Sequence, residues 1–215
     1  MKKYILTLDV GGTTFSSYLI DEDFQIRCRS LIDKIVNYSN KEELINGIEN
    51  QILDLLNNYN VSLSEILCLG ISAPGPLNSE GGFILNTPNL IMLQNTPIIK
   101  LLNDKFTFPI FLENDANLFA LGEWSNYYKK DSIIVGITLG TGLGLGVVIN
   151  GQLFTGAHGM GAEYGISPYK AGVWEDIISI KGIENLTNRK KIKKISPQNL
   201  FLFASEGNTD ALGIW

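Results

Sequence analysis

The stretch ILTLDVGGTTFSSYLI, residues 5–20, places two apolar segments on either side of the pair Gly11-Gly12. Alternating apolar and β-branched residues predict a β-hairpin with strands over residues 4–10 and 14–20. Glycine lets backbone N–H groups approach an anion without a side chain between them. The hairpin tip is therefore a candidate phosphate-binding loop, and a simple tight turn is the alternative interpretation.

One carboxylate, Asp9, stands at the end of the first predicted strand, beside this tip. A magnesium ion that accompanies phosphates takes oxygen ligands. Asp9 is therefore a candidate ligand of that ion. The alternative is a local role, since Asp side chains also hydrogen-bond the backbone of turns.

A second segment, SIIVGITLGTGLGLGVVINGQLF at residues 132–154, repeats the order of apolar strand, glycine-threonine turn and apolar strand. Gly140-Thr141 can be laid over Gly12-Thr13, which predicts two related halves. No G-x-x-x-x-G-K-[ST] run is present, and the glycines of GTGLGLG are followed by a strand pattern rather than a helix. Both common nucleotide-binding fingerprints are therefore excluded.

The chain has 215 residues, 45% of them hydrophobic, and a formal net charge of -5. An acidic surface repels the phosphates of nucleic acids and of anionic membranes, so neither is an expected partner. No apolar run is long enough to cross a bilayer. Cys28 and Cys68 lie far apart and form no disulfide or metal-binding pattern. These features predict a cytoplasmic protein with a small-molecule ligand.

Predicted strands and helices alternate along the chain, which indicates an α/β fold. Residues 38–59 form an amphipathic helix pattern, with a predicted capping box of Ser39 and Glu42. ILCLGIS, residues 66–72, is typical of a buried strand. NTPIIKLLNDKF, residues 95–106, predicts a helix with a proline in its first turn.

The sequence LENDANLFALGEW places Glu113, Asn114 and Asp115 where a predicted strand leads directly into a helix. Ligands of α/β proteins bind at the carboxyl ends of strands, and an aspartate there can accept a proton from a hydroxyl group. The alternative is that Asp115 only caps the helix.

A further glycine-rich segment, GAHGMGAEYGI at residues 156–166, contains Glu163 and the single histidine, His158. Glycines around Glu163 would let a ligand come close, so this carboxylate is the stronger candidate. A lone histidine is more often structural than catalytic, and the role of His158 stays open.

Four motifs, LDVGGTT, GISAPGPLN, LENDANLFALGEW and LGTGLGLGVVINGQLFTGAHGMGAEYG, occur here in the order and register of the ROK family. The sequence closely resembles this group of bacterial sugar kinases, repressors and open reading frames over nearly its whole length. The resemblance implies an α/β, actin-like (ribonuclease H-like) ATPase fold of two lobes, with ATP and a sugar in the cleft between them. Residues 1–118 would form the lobe with the first phosphate loop and the catalytic Asp. Residues 119–215 would form the lobe with the second phosphate loop.

The resemblance also implies roles for individual residues. Asp115 would be the general base that takes the proton from a sugar hydroxyl, and Asn114, Glu163 and Glu175 would bind the sugar beside it. The implied cofactors are ATP and Mg²⁺, with Asp9 binding the ion directly or through water. The implied nucleotide-binding residues are Asp9, Gly11, Gly12, Thr13, Thr14, Gly140, Thr141 and Gly142.

The sequence departs from the family pattern in three places. Ile166 replaces the histidine of the family's G-E-x-G-H motif, and SPYKAGVWEDI, residues 167–177, has no cysteine. We therefore predict no structural zinc. SPQNLFLFASEGNTDALGIW, residues 196–215, resembles a segment after which family members continue. We expect the second lobe to lack its C-terminal portion.

The predicted function is ATP-dependent phosphorylation of a hexose or N-acetylhexosamine, as in glucokinases or fructokinases of this family. The alternatives are an inactive sugar-binding fragment and a sugar-sensing regulator. Family repressors carry a helix-turn-helix domain before the first phosphate loop, and that loop begins close to residue 1 here. Homodimers are common in the family, so the resemblance suggests one. The basic stretch NRKKIKK, residues 188–194, is expected to be a solvated surface.

Overall fold

The computed structural model describes residues 2–189 and 196–214. The chain divides into two compact units, residues 1–118 and 119–215. Most of the predicted basic stretch and Trp215 lie outside the described residues.

The first unit is built on a six-stranded sheet. Its strands are β1 (Tyr4–Val10), β2 (Thr14–Asp21), β3 (Ile26–Arg29), β4 (Asp33–Lys34), β5 (Ile66–Ala73) and β8 (Ile110–Asn114), and β6 (Leu77–Asn78) and β7 (Phe83–Ile84) form a separate pair. The strand order in the sheet is β3-β2-β1-β5-β8, and β4 pairs with β2. The strands β1 and β2 are antiparallel, which confirms the predicted hairpin. The pairs β1–β5 and β5–β8 are parallel.

Helix α1 (Lys41–Asn58) covers the core face of this sheet. Its buried residues follow the helical period and are Leu44, Ile45, Ile48, Ile52, Leu55 and Leu56. The predicted capping box is wrong by one residue. Asn40 caps the helix because its side chain accepts a hydrogen bond from the Glu43 amide at 2.9 Å. The Glu43 carboxylate in turn accepts one from the Ser39 amide at 2.8 Å.

The predicted buried strand is β5, and it is buried on one face of the sheet. Leu69, Ile71 and Ala73 are buried, and Gly70 and Ser72 between them are half-buried. Alternate residues of a strand point to opposite faces of the sheet. The helices therefore pack on the face that carries Leu69, and Ser72 belongs to the opposite face.

Two further helices complete the first unit and lead into the second. Helix α2 (Ile98–Asn103) begins after Pro97, so the proline precedes the first turn instead of lying within it. Strand β8 runs directly into α3 (Asp115–Tyr127), as the sequence predicted. The junction of β8 and α3 places Asp115 at the carboxyl end of a parallel strand.

The second unit contains a three-stranded antiparallel sheet of the order β11-β10-β9, formed by β9 (Ile133–Leu139), β10 (Leu143–Ile149) and β11 (Gln152–Leu153). The strands β12 (Pro168–Tyr169) and β13 (Gly172–Val173) form a short pair. The described helices that follow are α4 (Glu175–Ile178), α5 (Ile180–Arg189), α6 (Pro197–Ser205) and α7 (Thr209–Leu212). The β9–β10 connection is the predicted second glycine loop.

Candidate active site

The tip of the first hairpin has the chemistry of an anion site. The Gly11 amide donates to the Thr14 carbonyl at 2.8 Å and closes the turn. The amides of Gly12 and Thr13 make no hydrogen bond to any described residue, and both residues are exposed. Two unpaired N–H donors at a strand end can bind an oxyanion.

Gly12 is also required by packing. A Cβ at this position would collide with the carbonyl oxygen of Asn89, which lies in the loop after β7. The loop therefore approaches the hairpin tip more closely than any side chain at position 12 would allow. Sequence patterns identified the glycine, but not this neighbour.

Three polar residues lie side by side on the open face of the first sheet. Asp9 of β1 pairs with Ser72 of β5, and Ser72 pairs with Glu113 of β8. Adjacent strands lie about 4.8 Å apart, so the three residues form one row. The row stands at the carboxyl ends of parallel strands, where α/β proteins bind ligands. Ser72 was not singled out from the sequence, because only strand register aligns it with two acids.

Asn114, rather than Asp115, supplies the main cap of α3. Its Oδ1 accepts hydrogen bonds from the amides of Ala116 at 2.9 Å and Asn117 at 3.2 Å. Asp115 accepts a hydrogen bond from the Ala116 amide at 2.8 Å, and the residue is exposed to solvent. The capping interpretation thus applies mainly to Asn114, and the Asp115 carboxylate keeps oxygen lone pairs for other partners.

The electrostatic surroundings of Asp115 suit a base. Desolvation by the surrounding protein raises the pKa of its carboxyl, and the negative charge of Asp9 raises it further. The hydrogen bond from the Ala116 amide acts in the opposite direction. The Asp115 carboxyl remains accessible although protein atoms displace part of its water. A raised pKa makes the carboxylate a better proton acceptor near neutral pH.

The other predicted site residues lie in the second unit. The Gly140 amide donates to the Gly142 carbonyl at 3.0 Å, and the amides of Thr141 and Gly142 make no hydrogen bond to a described residue. The second loop thus presents unpaired donors in the same way as the first. Glu175 contacts this loop, since its Oε2 accepts from the Leu143 amide at 3.3 Å.

Glu163 lies elsewhere in the second unit. It is half-buried, and it immediately precedes the turn Tyr164–Ile166. Ile166, in the position of the family histidine, is 50% exposed.

The residues around the first glycine loop fit a magnesium ion that takes most of its ligands from phosphate and water. Asp9 supplies one exposed carboxylate beside unpaired amides. Within residues 2–189 and 196–214, no three His, Cys, Asp or Glu residues are grouped for a metal ion. Magnesium commonly takes one or two carboxylates and completes its shell with phosphate oxygens and water.

Comparison with known proteins gives a consistent result. The sequence model of the ROK family matches residues 5–215. A glucokinase from Thermotoga maritima is 39% identical over 165 residues, which are 76% of this chain and 50% of that protein. A xylose repressor from Caldicellulosiruptor bescii is 41% identical over 101 residues, 46% of this chain and 25% of the repressor. The chain thus spans half or less of the length of these curated relatives.

The fold is shared with solved ROK proteins. The crystal structure of a ROK hexokinase from Thermus thermophilus superposes with a TM-score of 0.82 at 24% identity, over 100% of this chain and 72% of that one. This likeness confirms the predicted actin-like ATPase fold. In the described part of the chain, every helix is too short or too polar to cross a membrane.

Proposed function

Because the chain belongs to the ROK family, we propose that it is an ATP-dependent kinase that phosphorylates a hexose or an N-acetylhexosamine, with Asp115 as the general base. The observation that carries the proposal is the accessible Asp115 carboxyl that directly follows β8. Partial desolvation and the charge of Asp9 raise the pKa of this carboxyl. The similarity to a glucokinase supports a kinase. Two free cysteines are compatible with the cytoplasmic location that we propose.

In the proposed reaction, a sugar hydroxyl lies against the Asp115 carboxylate. The carboxylate accepts the hydroxyl proton while the sugar oxygen forms a bond to the terminal phosphorus of ATP and the bond from that phosphorus to the ADP oxygen breaks. Phosphoryl transfer depends mainly on positioning and charge neutralisation, so one base suffices. Asn114 would hold the sugar, and we assign the same role to Glu163.

The unpaired amides of the two glycine loops are the groups that we propose bind the phosphates of ATP. Gly12 and Thr13 supply them in the first loop, and Thr141 and Gly142 supply them in the second. Asp9 would hold the magnesium ion, which neutralises phosphate charge when bound. Glu175 keeps the second loop in shape through the Leu143 amide. Its contact with the loop adds a structural role to the sugar-binding role that the family resemblance implies.

The first test measures ADP release by the purified chain with Mg·ATP and a panel of glucose, N-acetylglucosamine, fructose and xylose. We expect turnover on at least one hexose. Asp115→Asn keeps the size of the side chain and its bond to Ala116, but removes the base. Loss of general base catalysis typically lowers rates by about 10²–10⁴-fold, so we expect a kcat decrease in that range.

The pH profile gives a second readout of the same residue. Asp115 must be ionised to act as a base, so kcat/KM falls as the pH drops through its pKa. Because that pKa is raised, the acid limb should lie above the range of an ordinary aspartate. Retained turnover in Asp115→Asn, with the native acid limb, would show that another group takes the proton.

The xylose repressor favours sugar sensing as the second candidate function. A sensor binds the sugar without transferring phosphate. Calorimetric titration of the native chain with each sugar separates the two functions. Sugar binding with no ADP release, in a folded sample, would support the sensor or a binding-only protein and contradict the kinase.

A further inference from the structure

The carboxylate of Glu113 connects the two sides of Asp115. Its Oε1 accepts a hydrogen bond from the Asn114 amide at 2.7 Å and another from Asn117 Nδ2 at 3.0 Å. Asn114 precedes Asp115 at the end of β8, and Asn117 follows it in the first turn of α3. Glu113 Oε1 therefore links the end of β8 to the first turn of α3, on either side of the proposed base Asp115.

Asn117 has an unusual environment for an amide side chain. The residue is 6% exposed, and its Oδ1 is buried without a hydrogen-bond partner among the described residues. Rotating the amide by 180° would not relieve this, because Oδ1 would then face the Glu113 carboxylate. The charge of Glu113 thus sets the orientation of Asn117 and leaves its oxygen unpaired.

A buried acceptor without a donor lowers stability, and such groups in native structures often mark functional sites. An apolar residue at position 117 would avoid the loss. The pair is therefore not arranged for stability alone. The unpaired Asn117 oxygen lies two residues from Asp115, at the strand–helix junction that orients the Asp115 side chain.

We propose that Glu113 and Asn117 are positioning residues that hold Asp115 in the orientation needed for proton abstraction. This inference rests on the proposed kinase function. Neither side chain takes part in the reaction itself. They act on the backbone on both sides of Asp115, because a bond from one oxygen to residues 114 and 117 limits the rotation of the strand–helix junction. A purely structural cap is the competing explanation.

The test compares four variants of the full chain. Glu113→Ala removes the acceptor, and Glu113→Gln keeps an oxygen that can accept both bonds. Asn117→Leu removes the donor together with the unpaired oxygen. Asn126→Leu, on the same helix, is the matched control, because the Asn126 side chain donates to the Gly122 carbonyl of its own helix and to no other described residue.

Misplacement of a reacting group by about 1 Å can cost on the order of 100-fold in rate. We expect Glu113→Ala and Asn117→Leu to lower kcat by about 10- to 100-fold while the KM for ATP changes by less than about twofold. Glu113→Gln should restore most of the loss. The melting temperature of Asn117→Leu should be equal to or higher than that of the native chain, a result that a purely structural role would not produce.

Hydrogen exchange provides a readout that does not depend on turnover. The amides of Ala116 and Asn117 are bonded to the Asn114 side chain, and they should exchange about tenfold faster in Glu113→Ala than in Glu113→Gln. Equal exchange in the two variants, or a native kcat in Asn117→Leu, would overturn the proposal. If the native chain has no turnover, the kinase proposal fails, and the exchange data alone decide whether the pair holds Asp115.

Discussion

Gly140 and Gly12 are glycines for different physical reasons. A Cβ at Gly140 would meet no atom within 4 Å, and the backbone there is not in the left-handed region. A Cβ at Gly12 would strike the Asn89 carbonyl. Packing therefore explains the glycine in the first loop and leaves the one in the second loop unexplained. In the proposed kinase, the space beside Gly140 would admit a phosphate of ATP.

We predict that Gly140→Ala folds normally but binds ATP about tenfold more weakly, because the new methyl group occupies space beside the loop amides. Gly122→Ala is the matched control, since a Cβ at Gly122 also meets no atom within 4 Å. It should leave ATP affinity unchanged. Calorimetric titration measures both. Unchanged affinity in Gly140→Ala would favour the interpretation of the loop as a simple turn.

At the level of elements, the second unit depends on a close approach of β9 to α3. A Cβ at Gly136 would lie 2.8 Å from the Ala120 Cβ and 3.0 Å from its Cα. Ala120 is fully buried, so neither partner can move away easily. Two small residues thus set the distance between the strand and the helix that begins with Asp115.

We expect Gly136→Ala to lower the free energy of unfolding by about 1–3 kcal/mol, which is the usual cost of overpacking. Gly122→Ala adds the same methyl group to α3 in open space, and should raise it by about 0.5–1 kcal/mol because alanine favours the helix. Urea unfolding of both variants measures these two changes in the free energy of unfolding. A neutral Gly136→Ala would mean that β9 and α3 can separate without loss.

At the level of the whole molecule, the described surface contains an apolar row on β9. Ile133, Val135, Ile137 and Leu139 are between 52% and 67% exposed. They alternate with more buried residues, among them Gly136, which lies against Ala120 of α3, so the four share the other face of the sheet. Among the described strands, β9 pairs only with β10 and is an edge. Open edges and large apolar patches promote association between chains.

We predict that the chain self-associates through this row, and that Ile137→Lys weakens association by about tenfold or more, since a charge at the centre of an apolar contact is poorly tolerated. Leu63→Lys, at an aliphatic residue that is 43% exposed in the first unit, is the control and should behave like the native chain. Sedimentation velocity over a concentration series measures both. A native chain that stays monomeric at every concentration would contradict the prediction.

Local patterns in the sequence were enough to predict several elements. The hairpin at residues 4–21, the passage from β8 into α3 and the second glycine loop all appear where periodicity and glycines placed them. Such features depend on neighbours within a few residues. The capping box failed by one position because Ser39 and Asn40 are both good caps, and the choice depends on which one adopts the extended backbone before α1.

Contacts between distant segments were beyond the reach of those patterns. Strand register places Ser72 between Asp9 and Glu113. Packing brings Asn89 against Gly12 and Ala120 against Gly136. The sequence alone established the α/β class, the two glycine loops and the acid at the start of α3, because each of these features depends on residues that are neighbours along the chain. Folding determined which groups surround that acid, because strand pairing and burial join residues that are far apart along the chain.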